Sequence, residues 1–313
     1  MTDASSTPGP QGRAESPFAF LATLPRDEAR DWLREFLQGR EPPPRVGRHD
    51  ARPAADLVSS LRAPQAASLR PSVARLGAGL LAEAIEQGLF QSDDPAAAGY
   101  VAALLAVLES LPDRSEGGPL LQRLVVSGLL RGRSSERGDL HLLALRALVS
   151  NQPSEPQQRA RWTEAWRLDL SERQCGPIAF QGLLRVDREA ALAELPVALA
   201  GWVRADPGFV PYGIAYLLES AVGEDALAWA GLARGLAGQP GALPAFTAAA
   251  RESQWEARLP AAWQALTLAT GQADPTASNG ISFNSRWVSE EDRSRVRRGR
   301  GDPALGGPLL RAA

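Results

Sequence analysis

Five arginines fall within eight positions near the end of the sequence: Arg293, Arg295, Arg297, Arg298 and Arg300. Guanidinium groups bind phosphate and carboxylate through paired N–H donors, so such a run could grip nucleic acid, dock on a protein or expose a protease-sensitive segment. Glu290, Glu291 and Asp292 immediately precede it and partly cancel its charge. Five neutralised phosphates give modest affinity, and nucleic-acid arms usually carry more charge than this. The triplet Arg300-Gly301-Asp302 matters only on a secreted adhesion ligand. The run therefore reads first as a solvated tail. Where it acts, a protein partner ranks above nucleic acid, with Trp287 as the aromatic residue beside it.

The other residues able to do chemistry stand apart from one another. Asp93 and Asp94 could mimic a metal-binding pair, but an acid before Pro-Ala-Ala is an ordinary helix cap. Gly77, Gly79 and Ala82 form part of a dinucleotide fingerprint, yet no strand precedes them, and close helix packing explains them better. His49 and His141 lack the spacing of a paired-histidine metal site, and no Gly-x-Ser-x-Gly elbow marks a nucleophile. The single cysteine, Cys175, sits at a helix entry before Gly-Pro; it permits no internal disulfide and reads as a packed thiol. No metal and no cofactor is expected. Trp162 and Trp166 lie four residues apart with Asp169 nearby. That set loosely resembles HEAT-like DNA glycosylases, whose aromatic residues and acid surround a damaged base; core packing is the first reading.

Composition narrows the classes further. All 34 basic residues are arginine against 36 acids, a formal net charge of −2. A surface given over to polyanions is not expected from that balance. The lack of lysine fits a GC-rich bacterial genome and excludes a P-loop, a Schiff-base or pyridoxal-phosphate enzyme and a kinase of the usual type. No apolar run approaches the ~18 residues of a membrane helix, and the N-terminus lacks a basic segment followed by an apolar one, so cytoplasm is the expected compartment.

The elements that must position these groups are helices. Alanine and leucine carry the apolar fraction, and Val101, Leu104, Leu105, Leu108 and Leu111 follow helical spacing, as do Leu192, Leu195, Leu199, Trp202 and Val203. No alternation long enough for a strand is present. Residues 1–16 read as a disordered leader, 17–39 as an N-terminal helix with Trp32, Phe36 and Leu37 on one face, and 40–53 as a Pro-rich linker. The segment 54–271 reads as the helical body, and 272–313 as a polar, Arg-rich tail, loose or laid across that body. Pro196 and Pro260 fall inside apolar patterns and should kink a helix or start one.

Alternate helices start near 70, 118, 156, 188, 225 and 255, mostly about 30 to 40 residues apart. That period resembles the HEAT and armadillo-like class of two-helix repeats, which implies an all-α solenoid; a multi-helix bundle is the structural rival. The expected function is a non-enzymatic interaction or regulatory scaffold for a protein partner. The alternatives are a regulatory substrate or inhibitor switched through its tail, and a HEAT-like nucleic-acid-binding or DNA-repair protein. Nucleic-acid binding at physiological salt should be weak and should change little when the five arginines become serine. Tight, salt-dependent binding lost with them reverses the ranking.

Overall fold

The computed structural model describes residues 16–42, 53–152 and 159–271. The leader up to residue 15, most of the Pro-rich linker and the tail, with Arg293, Arg295, Arg297, Arg298, Arg300, Trp287 and His49, lie outside the described residues. Among the described residues the chain is all-helical, with fourteen α-helices and one two-stranded hairpin. It divides into two compact units, Met1–Ser154 and Glu155–Ala313. The division falls in the Ser-Asn-Gln-Pro-Ser-Glu-Pro punctuation.

The first unit holds α1 (Arg26–Leu37), α2 (Pro53–Arg62), α3 (Arg70–Glu86), α4 (Pro95–Ser110), α5 (Gly117–Ser127) and α6 (Leu140–Asn151). Packing alternates: α1 lies on α3 and α3 on α5, while α2 lies on α4 and α4 on α6. Each helix also packs on its partner in the pairs α1–α2, α3–α4 and α5–α6. α1 is shorter than its sequence pattern, preceded by a 3₁₀ turn (Ala19–Ala22), and it buries Leu33, Phe36 and Leu37 while Trp32 stays half-buried. Gly77 contacts Leu108 and Val107 of α4, which is the close packing its position in α3 suggests, whereas Gly79 faces open space. Asn151, fully buried, fastens the unit: its amide donates to the carbonyls of Leu108 and Ala147, and its oxygen accepts from the Asp113 N–H, each at 2.7 Å.

One element departs from the sequence reading. Ser134–Ser135 (β1) pairs antiparallel with Gly138–Asp139 (β2). Strands of two residues cannot show alternation, and Gly138 takes a φ of 112°, open to glycine but strained for other residues.

The second unit holds α7 (Arg159–Leu170), α8 (Gly176–Val186), α9 (Arg188–Ala205), α10 (Tyr212–Val222), α11 (Ala226–Ala237), α12 (Ala242–Glu252), α13 (Trp255–Arg258) and α14 (Pro260–Ala269). Here α8, α10 and α12 pack in succession, as do α9, α11 and α14, and α7 lies against α8. Pro260 opens α14, as one of the two sequence options has it. Pro196 lies within α9, which continues to Ala205, and its ring meets the helix α11 where Gly235 leaves room.

Tryptophans set the spacing in this unit. Trp162, Trp166, Trp202, Trp229 and Trp255 are buried, each 2% exposed or less. Trp166 fills the space beside Gly182, and Trp202 that beside Gly176; a Cβ on either glycine would run into the indole. The Gly182→Ala variant should therefore melt lower, by an overpacking cost of about 1 to 3 kcal/mol. Gly231 in α11 faces nothing within 4 Å, so Gly231→Ala should melt higher by about 0.5 to 1 kcal/mol. Equal effects of the two substitutions in thermal unfolding would disprove this packing.

Candidate interaction surface

α8, α10 and α12 turn a second set of side chains outward. α10 is amphipathic, burying Ile214, Ala215, Leu218 and Val222. The opposite side therefore carries Tyr212 and Tyr216, four residues apart and 51% and 70% exposed, with Gly213 and Ser220 between and beside them. On α8 the corresponding side has half-buried Pro177, Ile178, Gln181 and Leu184, ending at exposed Arg185. On α12 it has Pro244, Ala245 and Ala248, ending at Arg251 and Glu252. The surface around Tyr212 and Tyr216 is uncharged and aromatic, and charge begins one turn on at Glu219, paired with Arg258, and at the ends of α8 and α12. Arg251 is itself engaged, its guanidinium 5.9 Å from the Trp263 ring centroid.

The outward side of α7, α9 and α11 differs. Arg167 pairs with Glu194 at 2.6 Å and Arg188 with Asp225 at 3.2 Å, and Arg173 meets Asp206 at 2.6 Å nearby. Leu168, Val197 and Leu227 are exposed there, each within three residues of one of these paired groups. Asp225 also caps α11 by accepting from the Ala228 N–H at 3.0 Å. That backbone bond, and then Arg188, hold its carboxyl below the ordinary carboxylate range.

No family model matches the chain, and no curated protein or solved structure matches it.

The residues singled out for chemistry are scattered and mostly enclosed. Trp162, Trp166 and Asp169 share a helix but are all buried, so together they open onto no surface for a base. Asp94 caps α4 by accepting from the Ala96 N–H, and exposed Asp93 pairs with Arg133. His141 is buried in α6, and Cys175 stands half-buried at the entry of α8. Among the described residues no group of three or more His, Cys, Asp or Glu side chains could hold a metal ion. No described helix is long and apolar enough to cross a membrane.

One cleft of about 830 Å³ opens in the first unit between the end of α1, the start of α4 and the hairpin. Its one buried titratable side chain is Tyr100, whose phenol burial pushes up to about 12. Arg133 on its wall is committed to the carbonyls of Gln91 and Ser92 and to Asp93. Neither the neutral phenol nor the engaged guanidinium is a nucleophile or general base, and the carboxylates on the rim, Asp93 and Glu136, stand with Ser134 and Ser135 on the hairpin side of the cleft. The tyrosine face of the second unit is the stronger candidate. Its outward pattern was readable as the polar gaps in the α10 stripe, but tyrosine inside an apolar helix reads as core until the neighbours are known.

Acid tests the Asp225 cap directly. A carboxyl held below its unfolded value stabilises the fold above about pH 4 and loses that contribution as pH falls through its folded value. Asp225→Ala should lower the melting temperature at pH 7, with a cap typically worth about 1 kcal/mol, and the difference from the native chain should shrink as the pH falls below the carboxylate range, because the neutral acid keeps only a weaker acceptor. A difference that persists undiminished in acid would refute the cap.

Proposed function

We propose that the chain is a non-enzymatic protein-interaction scaffold, a HEAT/armadillo-like array of two-helix repeats that binds a protein partner through the α8–α10–α12 face. The alternating packing within each unit supports the repeat reading, because helices one repeat apart touch in both layers. The observation that carries the binding assignment is the pair Tyr212 and Tyr216, exposed over the first turns of α10 on a surface with no charged side chain beside them before Glu219. Tyrosine offers large contact area at low entropy cost and is enriched where interfaces draw their affinity. Charged residues are depleted at interface centres and retained at rims, which is how Arg185, Arg251 and Glu252 are placed. In this reading the arginines from Arg293 to Arg300, with Trp287, add a contact to the same partner, and the scaffold acts in the cytoplasm.

Capture from a lysate of the source cells tests the assignment when two surface variants are compared. Tyr212→Ala/Tyr216→Ala should reduce recovery of a stoichiometric partner at least tenfold, while Val197→Ser/Leu227→Ser on the ion-paired side should leave it unchanged. Both double variants replace exposed side chains, so both should melt like the native chain. Undiminished capture by the tyrosine variant would remove this face from the interface.

A further inference from the structure

The described chain ends at Gly271, directly after α14, which packs on α12, and the sequence continues for residues 272–313. Between 275 and 289 that continuation has one charge, Arg286, and two aromatic residues, Phe283 and Trp287. We propose that residues 281–288 occupy the α8–α10–α12 face of their own chain, with Phe283 and Trp287 against Tyr212 and Tyr216. The inference rests on that face being a protein-binding surface and names its resident occupant in the absence of a partner.

Chemistry, reach and charge support it. An aromatic surface selects an aromatic segment of low charge, and residues 275–289 carry Phe283 and Trp287 with Arg286 as their single charge. Phe283 and Trp287 share the four-residue spacing of Tyr212 and Tyr216, so the two pairs can meet in edge-to-face or offset contact. From α14 across α12 to α10 is about two helix spacings, roughly 20 Å. The 12 residues from Gly271 to Phe283 span up to about 40 Å, so the segment reaches without strain. Where α10 and α12 end, Glu219, Glu224, Glu252 and Glu256 outnumber Arg251 and Arg258. α13 holds these ends together, since Arg258 and the Trp255 indole both bond to Glu219. A docked segment 281–288 delivers the arginines that follow it to this acidic edge, where exposed pairs hold loosely and remain open to protease.

A partner displaces the segment by competing for the same tyrosines, so the docked tail raises the threshold for binding, and only after displacement are Trp287 and the arginines free to contact that partner. Limited trypsin digestion of the full chain reads the docking without any partner. The bond after Arg286 should be cut at least fivefold more slowly than the bonds after Arg293 to Arg300. That protection should vanish in Tyr212→Ala/Tyr216→Ala and in Phe283→Ser/Trp287→Ser; the second variant changes no residue of the helical body. Cutting at Arg286 as fast as in the arginine run overturns the proposal. So does protection that survives either variant, or protection that grows with protein concentration, which assigns the face to a second copy. Because the digest contains no partner, its failure leaves the capture result standing, and loss of partner capture leaves the digest interpretable.

Discussion

The hydrogen bond from the Trp202 indole N–H to the Leu170 carbonyl, 2.8 Å long and buried, fixes the second unit at the point where α7 ends and α9 crosses α8. The last carbonyls of a helix have no partner within it, and a buried one must find a donor elsewhere. A buried indole has the complementary need. One bond satisfies both, and it brings the indole so close that residue 176 can carry no side chain. Pro177 follows in the first turn of α8, where its missing N–H costs nothing. The start and direction of α8 are thereby set, and α10 and α12 stack in sequence from it. Tyr212 and Tyr216 face outward because Ile214, Ala215 and Leu218 must face that stack.

Charge divides the surfaces that this packing creates. Every cation of the chain is an arginine, and several tie neighbouring helices of one layer: Arg34 to Glu83, Arg146 to Glu109, Arg167 to Glu194, Arg188 to Asp225. Apart from the half-buried Arg34–Glu83 pair, these are exposed pairs of at most about 1 kcal/mol each, so their effect lies less in stability than in hydration. A helix face crossed by fixed ion pairs stays wet and offers a partner little to desolvate. On the α8–α10–α12 side Tyr212 and Tyr216 stand before the Glu219–Arg258 pair, and that contrast within one unit distinguishes the two faces.

Much of the architecture was legible in the sequence because helical periodicity is local. Alternate helices begin at Arg70, Gly117, Arg159, Arg188, Ala226 and Trp255, within three residues of the starts read from pattern and punctuation. Asp94, Asp139, Asp187 and Asp225 cap four helices with side-chain bonds to the first turn, the role their positions before apolar runs suggest. Trp202 was recognisable as core because it continues the stripe of Leu195 and Leu199. What the pattern could not show depended on partners distant in sequence. The fit of Gly182 to Trp166 needs the α7–α8 packing, and the exposure of Tyr216 needs the knowledge that no described helix covers that side of α10. Of the candidate site, residue types were visible and burial was not. Trp162, Trp166 and Asp169 offer the same chemistry on paper as an open pocket, and the fold encloses them.

An uncharged face with two exposed tyrosines is a hazard as well as an asset, since exposed apolar area favours indiscriminate association. The sequence limits that hazard locally. Gly213, Ser220 and Gln181 interrupt the apolar surface, Pro177 and Pro244 remain where helices begin, and Arg185, Arg251 and Glu252 guard its edge. These features lower the affinity for arbitrary apolar segments more than for one matched to the tyrosine spacing, because a matched segment can place its aromatic rings and keep its polar atoms in water. Specificity then comes from geometry along α10 rather than from charge. The same argument explains why the ion-paired side of the unit, with exposed Val197 and Leu227, is not an equivalent site: an occupant there would have to dry Arg167, Glu194, Arg188 and Asp225 before reaching an isolated leucine or valine, and the desolvation cost of those charges exceeds what one aliphatic contact returns.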